Sequence, residues 1–309
     1  MWGIPSNCPV LQEYSDHTNT VYSLLVVPYS FSLDGEERGA NSTFISGAGN
    51  GKVMLWDVRS SAKLKQYSIG SFVLAVEVLP DSSFLAGTYD KMIRLFKFTG
   101  LTASKTFSGH TENVRCLRYL GDGTFLSGSD DNKIMRWDIQ SGVRMMTYTG
   151  HTNWVNTLEV MVDGTFLSGA LDIKVKRWSV ASPSAMETYN AGGIVFALAV
   201  VDGSNFLAAG YDKVIKGFKI GTPNPVFLYN QVHTDRIYSL LVVGNVIISS
   251  GNDGFSYRWE LGRKDPLTKF TSGGILYSSS NIGDGTFVTG GSVGMIKRFT
   301  LHGSESISP

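Results

Sequence analysis

The five histidines are the residues with the clearest capacity for chemistry: His17, His110, His151, His233 and His302. A histidine beside a serine and a carboxylate can act as a general base in hydrolysis, and several together can hold a metal. Their spacing argues against a metal site, because they lie about 40 or more residues apart and no HExxH occurs. The cysteines, Cys8 and Cys116, show no CxxC spacing. We therefore expect no metal, no cofactor and no disulfide framework.

The histidines are linked to aromatic residues further along the chain. Four of them stand before an apolar run, each followed by threonine, and a recurring aromatic position comes later. In chain order that position holds Trp56, Phe96, Trp137, Trp178, Phe218, Trp259 and Phe299. Tryptophan occurs wherever the preceding histidine is present, and phenylalanine wherever it is missing. A buried indole N–H without an acceptor costs about 1–3 kcal/mol, so the correlation predicts a structural use of the histidines.

These residues belong to a segment that occurs seven times. Thr124–Ile139 reads TFLSGSDDNKIMRWDI, two strand-like runs around an Asp-Asp-Asn turn, which predicts a tight hairpin. Copies start at residues 43, 83, 124, 165, 205, 246 and 286, so the period is 40 or 41 residues. An apolar run precedes each hairpin and a more polar run follows most of them. Four strands per repeat predict an all-β, seven-bladed β-propeller of four-stranded antiparallel blades.

The repeat resembles that of the WD40 family. Gly109-His110 before a first strand and Trp137-Asp138 at the end of a third carry the resemblance, and Gly150-His151 with Trp178-Ser179 is a second copy. It covers roughly residues 10–301. The resemblance implies that histidine, a turn aspartate and a strand serine or threonine form a buried hydrogen-bonded chain ending at tryptophan.

By motif position, the aspartate stands six residues before the aromatic, and Asn50 takes its place in blade one. The network implied by the resemblance comprises His17, Trp56, His110, Asp131, Trp137, His151, Asp172, Trp178, His233, Asp253 and Trp259. Each set repeats within one blade, so we interpret the sets as structural and expect no catalytic residue.

The two ends of the chain predict how the ring closes. The seventh copy stops after its third strand, at Thr300-Leu301, whereas Pro9–Ser15 reads like the fourth strands elsewhere. We expect the N-terminal strand to complete the last blade and to remove an open sheet edge. The whole chain, 1–309, is then one domain, with the propeller at about 9–301 and a short tail at 302–309.

Two features depart from the family pattern. The segment Pro28–Ser42 is surplus in blade one and rich in glycine, serine and charge, so we expect an exposed bottom-face loop. It is either a tolerated insertion or a partner-binding appendage. Arginine precedes the third-strand aromatic in four blades, at Arg136, Arg177, Arg258 and Arg298. We expect these side chains to snorkel or to make cation–π contacts, rather than to form a functional basic stripe.

The resemblance also implies that partners bind the top face, where the loops before strand one and within the hairpins surround the channel. Tyrosine, tryptophan and arginine are frequent there and dominate interface hot spots. Leu74 holds the strand-one position in blade two. The candidate partner-binding residues are Tyr22, Tyr89, Arg115, Trp154, Asn156, Phe196, Tyr211, Arg236, Tyr238 and Tyr277.

Composition narrows the class of partner. The net charge is +1 and only 17% of residues are charged, so no broad footprint for nucleic acid or an acidic membrane is visible. No secretion signal and no apolar run of the ~20 residues needed to span a bilayer is present. We expect a monomeric propeller within a larger complex, in the cytoplasm, the nucleus or both.

The sequence therefore favours a non-catalytic scaffold that binds proteins or peptides. An alternative is a substrate-recognition subunit of a ubiquitin ligase or another multisubunit enzyme, reading an acidic or phosphorylated peptide through Arg115 and Arg236. A propeller enzyme would need carboxylates or histidines converging in the channel, whereas the top positions are aromatic and basic.

Overall fold

The structure, a computed structural model, describes residues 8–301. Its strands form seven four-stranded antiparallel sheets and one two-stranded hairpin. The first strand of every sheet contacts the first strands of both neighbouring sheets, so these seven strands surround a central channel. This arrangement confirms the predicted seven-bladed propeller. The expected tail at 302–309 lies outside the described residues.

The strands follow the repeat in chain order. The N-terminal strand β1 spans Gln12–Tyr14. Blade one contains β2 (Val21–Val26), the hairpin strands β3 (Phe31–Leu33) and β4 (Glu36–Arg38), then β5 (Thr43–Ala48), β6 (Lys52–Asp57) and β7 (Lys63–Ser68). Blade two contains β8 (Val73–Leu79), β9 (Ser83–Thr88), β10 (Ile93–Lys97) and β11 (Lys105–Phe107). Blade three contains β12 (Val114–Tyr119), β13 (Thr124–Ser129), β14 (Ile134–Asp138) and β15 (Arg144–Tyr148).

The remaining blades repeat the pattern. Blade four contains β16 (Val155–Val160), β17 (Phe166–Ala170), β18 (Lys174–Trp178) and β19 (Ala185–Asn190). Blade five contains β20 (Val195–Val200), β21 (Asn205–Gly210), β22 (Lys216–Lys219) and β23 (Phe227–Leu228). Blade six contains β24 (Ile237–Val243), β25 (Val246–Gly251), β26 (Phe255–Glu260) and β27 (Thr268–Thr271). Blade seven contains β28 (Leu276–Asn281), β29 (Thr286–Gly291), a 3-10 helix at Ser292–Gly294 and β30 (Ile296–Thr300). Across residues 8–301 no helix has the length and apolar character to cross a membrane.

The ring closes as predicted. β1 pairs with β30 in antiparallel register, with Gln12 opposite Arg298 and Tyr14 opposite Ile296. The Tyr14 hydroxyl donates a hydrogen bond of 2.9 Å to the carbonyl of Val58 in blade one. The N-terminal strand therefore completes blade seven and also ties it to the next blade, which removes a free sheet edge.

In five of the seven blades a glycine of the second strand faces the next blade and lets it approach closely. A Cβ atom at Gly128 in β13 would lie 2.5 Å from Cys116 Sγ and 2.8 Å from Val155 Cγ1 of blade four. Such distances are not compatible with any side chain, so glycine sets the spacing between blades.

The insertion in blade one is largely exposed, as expected, but it folds into a hairpin that contacts the ring. Residues 28–42 contain the β3–β4 hairpin, whose Phe31 and Leu33 are 4% and 3% exposed. Both side chains pack with Phe98 of blade two, and the ring centroids of Phe31 and Phe98 are 4.6 Å apart. These two side chains anchor the hairpin to the ring, while ten of the fifteen residues 28–42 stay exposed.

The arginines before the third-strand aromatics also differ from expectation. Arg136 donates to the hydroxyl of Thr124 (3.0 Å) and pairs with Asp122 (2.7 Å). The same Asp-Gly-Thr sequence clamps Arg177 in blade four and Arg298 in blade seven. The cation–π contacts found within residues 8–301 involve other side chains. These three arginines are held by a carboxylate and a hydroxyl, which the expectation of cation–π contacts missed.

Candidate functional site at the channel mouth

A β-bulge in the first strand of each blade builds the mouth of the channel. In β12, pairing with β13 shifts between Val114 and Cys116, which leaves Arg115 unpaired and directs its side chain to the mouth. The same shift occurs in all seven blades. The bulged residues are Tyr22, Leu74, Arg115, Asn156, Phe196, Tyr238 and Tyr277. They line a cavity of about 460 Å³ together with Trp154, Leu171, Ile194, Tyr211 and Arg236.

A backbone hydrogen bond positions the second set of lining residues. In every blade the N–H at the start of the hairpin turn donates to the carbonyl of the residue before the first strand. Leu171 N–H is 2.9 Å from the Trp154 carbonyl oxygen, and Tyr211 N–H is 3.0 Å from that of Ile194. This bond places a side chain of the hairpin turn beside a side chain of the loop before the first strand, at the rim of the cavity.

Four aromatic rings form a continuous arc along one side of the mouth, on blades five, six, seven and one. Ring centroids are 5.0 Å apart for Phe196 and Tyr238, 4.9 Å for Tyr238 and Tyr277, and 5.3 Å for Tyr277 and Tyr22. All four side chains are half-buried. The arc is a largely apolar, partly solvated surface that is already ordered by contacts between the rings, and aromatic surfaces of this kind anchor partner side chains.

The two arginines at the mouth are in different electrostatic states. Arg115 lies over the Trp154 ring, 4.6 Å from its centroid, and pairs through Nε and Nη2 with the buried carboxylate of Asp130. Arg236 lies 4.7 Å from the Tyr211 centroid, and its side chain is 41% exposed. The nearest paired carboxylate oxygen, on Asp235, is 4.0 Å away. Arg115 is therefore neutralised within the protein, and Arg236 is the cation that faces solvent.

Nine of the ten candidate residues line this single cavity. Tyr89 does not, because it lies in blade two beside Phe72, with ring centroids 5.8 Å apart and 56% of Tyr89 exposed. Sequence analysis missed Leu171 and Ile194. Their signal was present, since Leu171 occupies the turn position that Tyr89 and Tyr211 hold in other blades.

Histidine, aspartate and serine lie together inside the blades. In blade three His110 Nδ1 is 2.8 Å from Asp131 Oδ2, and Nε2 is 2.7 Å from Ser127 Oγ. The Trp137 indole N–H donates to the same serine oxygen at 2.8 Å. Because the carboxylate can only accept, we assign the imidazole proton to Nδ1, so that Nε2 accepts from the serine hydroxyl. Every donor in this hydrogen-bonded network then has an acceptor.

The other tryptophan blades hold the same arrangement, centred on Ser46, Ser168 and Ser249. In blade one Asn50 replaces the aspartate, and its Oδ1 is 3.3 Å from His17 Nδ1. Burial lowers the pKa of His17 to about 4, against the opposing hydrogen bond to Asn50. Although burial acts to raise it, the hydrogen bond from His110 holds the pKa of Asp131 below its usual value.

Comparison with known proteins agrees with this geometry. The sequence matches the family described as WD domain, G-beta repeat over residues 8–57, 101–138 and 142–179, which include blades with the complete network. The chain is a WD40-repeat propeller. Its fold is similar to that of the WD40 beta propeller domain of Doa1, with a TM-score of 0.82 and 23% identity over 96% of this chain and 97% of that chain. At this identity the likeness concerns the fold alone. No curated protein matches the sequence.

Two of the three phenylalanine blades of this WD40 propeller replace the network with a cation. In blade two the guanidinium of Arg94 binds Asp90, with Nη2 and Oδ2 2.6 Å apart, and donates to Thr88 Oγ1 at 3.1 Å. In blade five Lys216 pairs with Asp212. This explains why the turn aspartates persist in blades without histidine.

The serines that receive the indole N–H were not identified from the sequence. Their signal was also present, because the tryptophan blades carry serine at this strand position, whereas blades two and five carry Ala86 and Ala208. Blade seven carries Thr289, whose buried hydroxyl has no hydrogen-bond partner among the described residues.

Proposed function

We propose that this WD40 propeller is a non-catalytic scaffold that binds partner proteins or peptides at the mouth of its channel. WD40 propellers typically serve as interaction scaffolds. The observation that carries the proposal is the set of seven bulges, which turn four aromatic side chains, one leucine, one asparagine and one arginine toward a single cavity. A merely structural channel does not require a partly exposed, ordered aromatic arc at its rim.

The chemistry of the mouth indicates what a partner presents. An apolar or aromatic side chain fits against the arc formed by Phe196, Tyr238, Tyr277 and Tyr22. A carboxylate or phosphate of the partner pairs with Arg236, since guanidinium groups bind such anions bidentately. Arg115 is already held by Asp130, so the predicted reading of an acidic peptide by two arginines reduces to one.

The buried sets of histidine, aspartate and serine support a non-catalytic role. The side chains of His110 and Asp131 are 1% and 3% exposed, and Ser127 is fully buried. The serine oxygen already accepts the indole N–H of Trp137. A substrate carbonyl cannot approach a serine in this position, and the geometric requirement for nucleophilic attack is not met.

The exposed position of Arg236 also favours a more specific function. A solvent-facing arginine beside aromatic rings suits recognition of an acidic or phosphorylated peptide, as in a substrate-recognition subunit of a ubiquitin ligase or another multisubunit enzyme. We propose that the chain works as a monomeric propeller inside such an intracellular complex, in the cytoplasm, the nucleus or both.

Affinity capture from a cell lysate tests the proposal. Wild type is compared with Trp154→Ala/Arg236→Ala and with Phe72→Ala/Tyr89→Ala, an exposed aromatic pair on the top face outside the cavity. Melting temperatures verify that all three proteins are folded. We expect partners to be lost from the mouth variant and kept by the control. Partners retained by the mouth variant would contradict the proposal, and selective loss from the control would move the site to blade two.

A further inference from the structure

Arginine precedes the third-strand aromatic in four blades, and three of these arginines are held in the same way. Arg136 Nε donates to the hydroxyl of Thr124 at 3.0 Å, and its Nη2 pairs with Asp122 at 2.7 Å. In blades four and seven, the Nε atoms of Arg177 and Arg298 donate to a threonine hydroxyl at 3.0 and 2.9 Å, and a loop aspartate binds each Nη2. This clamp, one hydroxyl and one carboxylate, therefore binds the same edge of each guanidinium.

The arginine and its clamp occur together in most of the ring. Blades three, four and seven carry both, whereas blades one, two and five lack the Asp-Gly-Thr segment and have Leu55, Leu95 and Gly217 at the arginine position. The match has a physical reason, because a partly buried cation needs an anion or another acceptor in place of water. Six of the seven blades follow this rule.

Blade six breaks the match, because it has Arg258 but lacks the clamp. The loop between its first two strands is Gly244-Asn245, one residue shorter than Gly121-Asp122-Gly123 of blade three and without a carboxylate. By strand register, Val246 stands where blade three has Thr124. The carboxylate and the hydroxyl that hold the other arginines are thus missing together.

Arg258 has no acceptor among residues 8–301. Its Nε atom is buried without a hydrogen-bond partner, and no hydrogen bond or ion pair joins Nη1 or Nη2 to any described residue. Glu260, two residues along the same strand, instead accepts a hydrogen bond from Asn245 Nδ2 at 2.9 Å. Because Nη1 and Nη2 are not buried, they are available to an acceptor that comes from solvent.

The place that the clamp occupies in other blades is open in blade six. No atom lies within 4 Å of the position that a Cβ atom of Gly244 would take, and Gly244 and Asn245 are both exposed. Arg258 shares a strand face with Ser256, whose hydroxyl is linked through one serine to Ser279 of blade seven. The guanidinium therefore lies at the bottom-face junction of blades six and seven, where a partner can reach it.

We propose that Arg258 forms an anion site on the bottom face that binds an aspartate or glutamate carboxylate of a partner protein. The chain itself shows this interaction three times, because in blades three, four and seven a carboxylate of the preceding loop binds the corresponding Nη2. A guanidinium without a counterion favours a carboxylate over a neutral group, since the hydrogen bonds are then charge-assisted. The site lies on the face opposite the channel mouth and does not depend on the function proposed there.

A tetrapeptide with the sequence of residues 121–124, acetyl-Gly-Asp-Gly-Thr-amide, is the probe, because it carries the clamp of blade three on a short segment. The full chain is isotopically labelled at arginine for NMR, and the Nε–H resonance of Arg258 is assigned by its loss in Arg258→Lys. This resonance reports binding at Nη2, since the guanidinium is one delocalised group. We expect a saturable shift with half-saturation below about 10 mM. The peptide with Asp122→Asn should bind about tenfold or more weakly, because the charge is lost.

The clamped arginines are controls in the same spectrum. The Nε–H resonances of Arg136, Arg177 and Arg298 should not shift with the peptide, because a carboxylate and a hydroxyl of the chain already bind these side chains. A response confined to the unclamped arginine therefore separates a specific site from a general effect of peptide or salt.

A loop exchange is the decisive protein variant. Replacing Gly244-Asn245-Val246 by Gly-Asp-Gly-Thr gives blade six a clamp of its own, so Arg258 should no longer respond to the peptide. Arg263→Gln removes an exposed cation from the following loop and leaves Arg258 in place, so this variant should bind as wild type does.

Four results would overturn the proposal. The first is the absence of a saturable shift of the Arg258 resonance, and the second is an equal shift of the clamped arginines. The third is a shift produced by inorganic phosphate but not by the peptide, which would make the site one for a free anion. The fourth is binding that occurs only in Glu305→Gln, which would mean that the chain's own carboxylate holds Arg258. If the loop exchange failed to fold, equal affinity for the aspartate and asparagine peptides would be enough to reject the proposed recognition.

Discussion

Blades two and three are built from the same repeat, but they satisfy it with different side chains. Blade three buries Trp137 and supplies Ser127, His110 and Asp131 to receive its N–H. Blade two has Phe96 and Ala86, and its turn aspartate, Asp90, forms an ion pair with Arg94 instead. In these two blades the donors and acceptors therefore change together, because a buried polar group without a partner lowers stability.

The residues before the third-strand aromatics extend the comparison. Blade three holds Arg136 with Asp122 and Thr124, whereas blade two has Leu95 at this position, and the Lys105 ammonium donates to the carbonyl of Ile139 there. Blade two also carries the exposed pair Phe72 and Tyr89. Blade two, which lacks the tryptophan network, therefore carries an exposed aromatic pair beside its hairpin turn.

The largest effect is expected from forcing tryptophan into blade two. Phe96→Trp would place an indole N–H beside Ala86, where the tryptophan blades have a serine, and would overfill a site where Phe96 stacks on Phe84. We expect a loss of about 2–4 kcal/mol in the free energy of unfolding, measured by urea denaturation. Adding Ala86→Ser should recover part of the loss, and no recovery would mean that volume alone is responsible.

The reverse exchange in blade three should cost less. Trp137→Phe removes the indole donor and some buried area, and we expect a loss of about 1–3 kcal/mol in urea denaturation. In a double-mutant cycle with Ser127→Ala, the two losses should be less than additive, because either change breaks the same hydrogen bond. Strict additivity would show that the indole and the serine are not coupled.

Comparing the histidines of blades one and three gives a pH prediction. Burial lowers the pKa of His17 to about 4, below the value near 6.5 in the unfolded chain. The unfolded state binds the extra proton between these values, so this contribution to stability is present above about pH 6.5 and falls as the pH drops toward 4. We expect a loss of about 1 kcal/mol between pH 6 and pH 5 from this site.

Asn50→Asp is the matched control for that pH effect. It supplies the carboxylate that blade three has in Asp131, so it should raise the pKa of His17 and make the free energy of unfolding less dependent on pH. Urea denaturation at several pH values measures this dependence for wild type and for the variant. An unchanged slope in the variant would exclude His17 as its source.

The smallest effect concerns the bottom clamp. Asp122→Asn removes the ion pair with Arg136 while keeping a side chain of the same shape, and Asp122 is 49% exposed. Because solvent and salt screen such pairs, we expect a loss of about 0.2–1 kcal/mol that shrinks at high ionic strength. A loss that does not depend on salt would assign the clamp to packing of the arginine stem.

The sequence predicted different parts of the site with different success. The bulged residues at the channel mouth were identified because they hold one fixed position in every repeat, and the structure places all seven at one cavity. Their role in partner binding stays a prediction. Tyr89 shares a turn position with Tyr211 but lies outside the cavity, since blade two holds it beside Phe72. The position of a residue in the repeat predicts the loop on which it lies. It does not predict which neighbouring residue a long side chain will contact.

The paired state of Arg115 could not be read from the repeat. Asp130 is present in the sequence, yet only the turn of blade three brings its buried carboxylate to the guanidinium. The same limit applies to the insertion, where composition predicted the exposure of the segment but not the hairpin or the burial of Phe31 and Leu33.

The sequence by itself determined the number of blades, the closure by the N-terminal strand and the match of tryptophan with histidine. These features follow from the repeat period and from hydrogen bonds within one repeat. Each of the seven copies provides independent evidence for them. Only the tertiary structure decided which side chains converge at the channel mouth, that Arg115 pairs with the buried Asp130 whereas Arg236 faces solvent, and which side chains of the insertion pack against the ring. Those outcomes depend on contacts between repeats, where the side chain that fills a space can come from any segment the fold brings near.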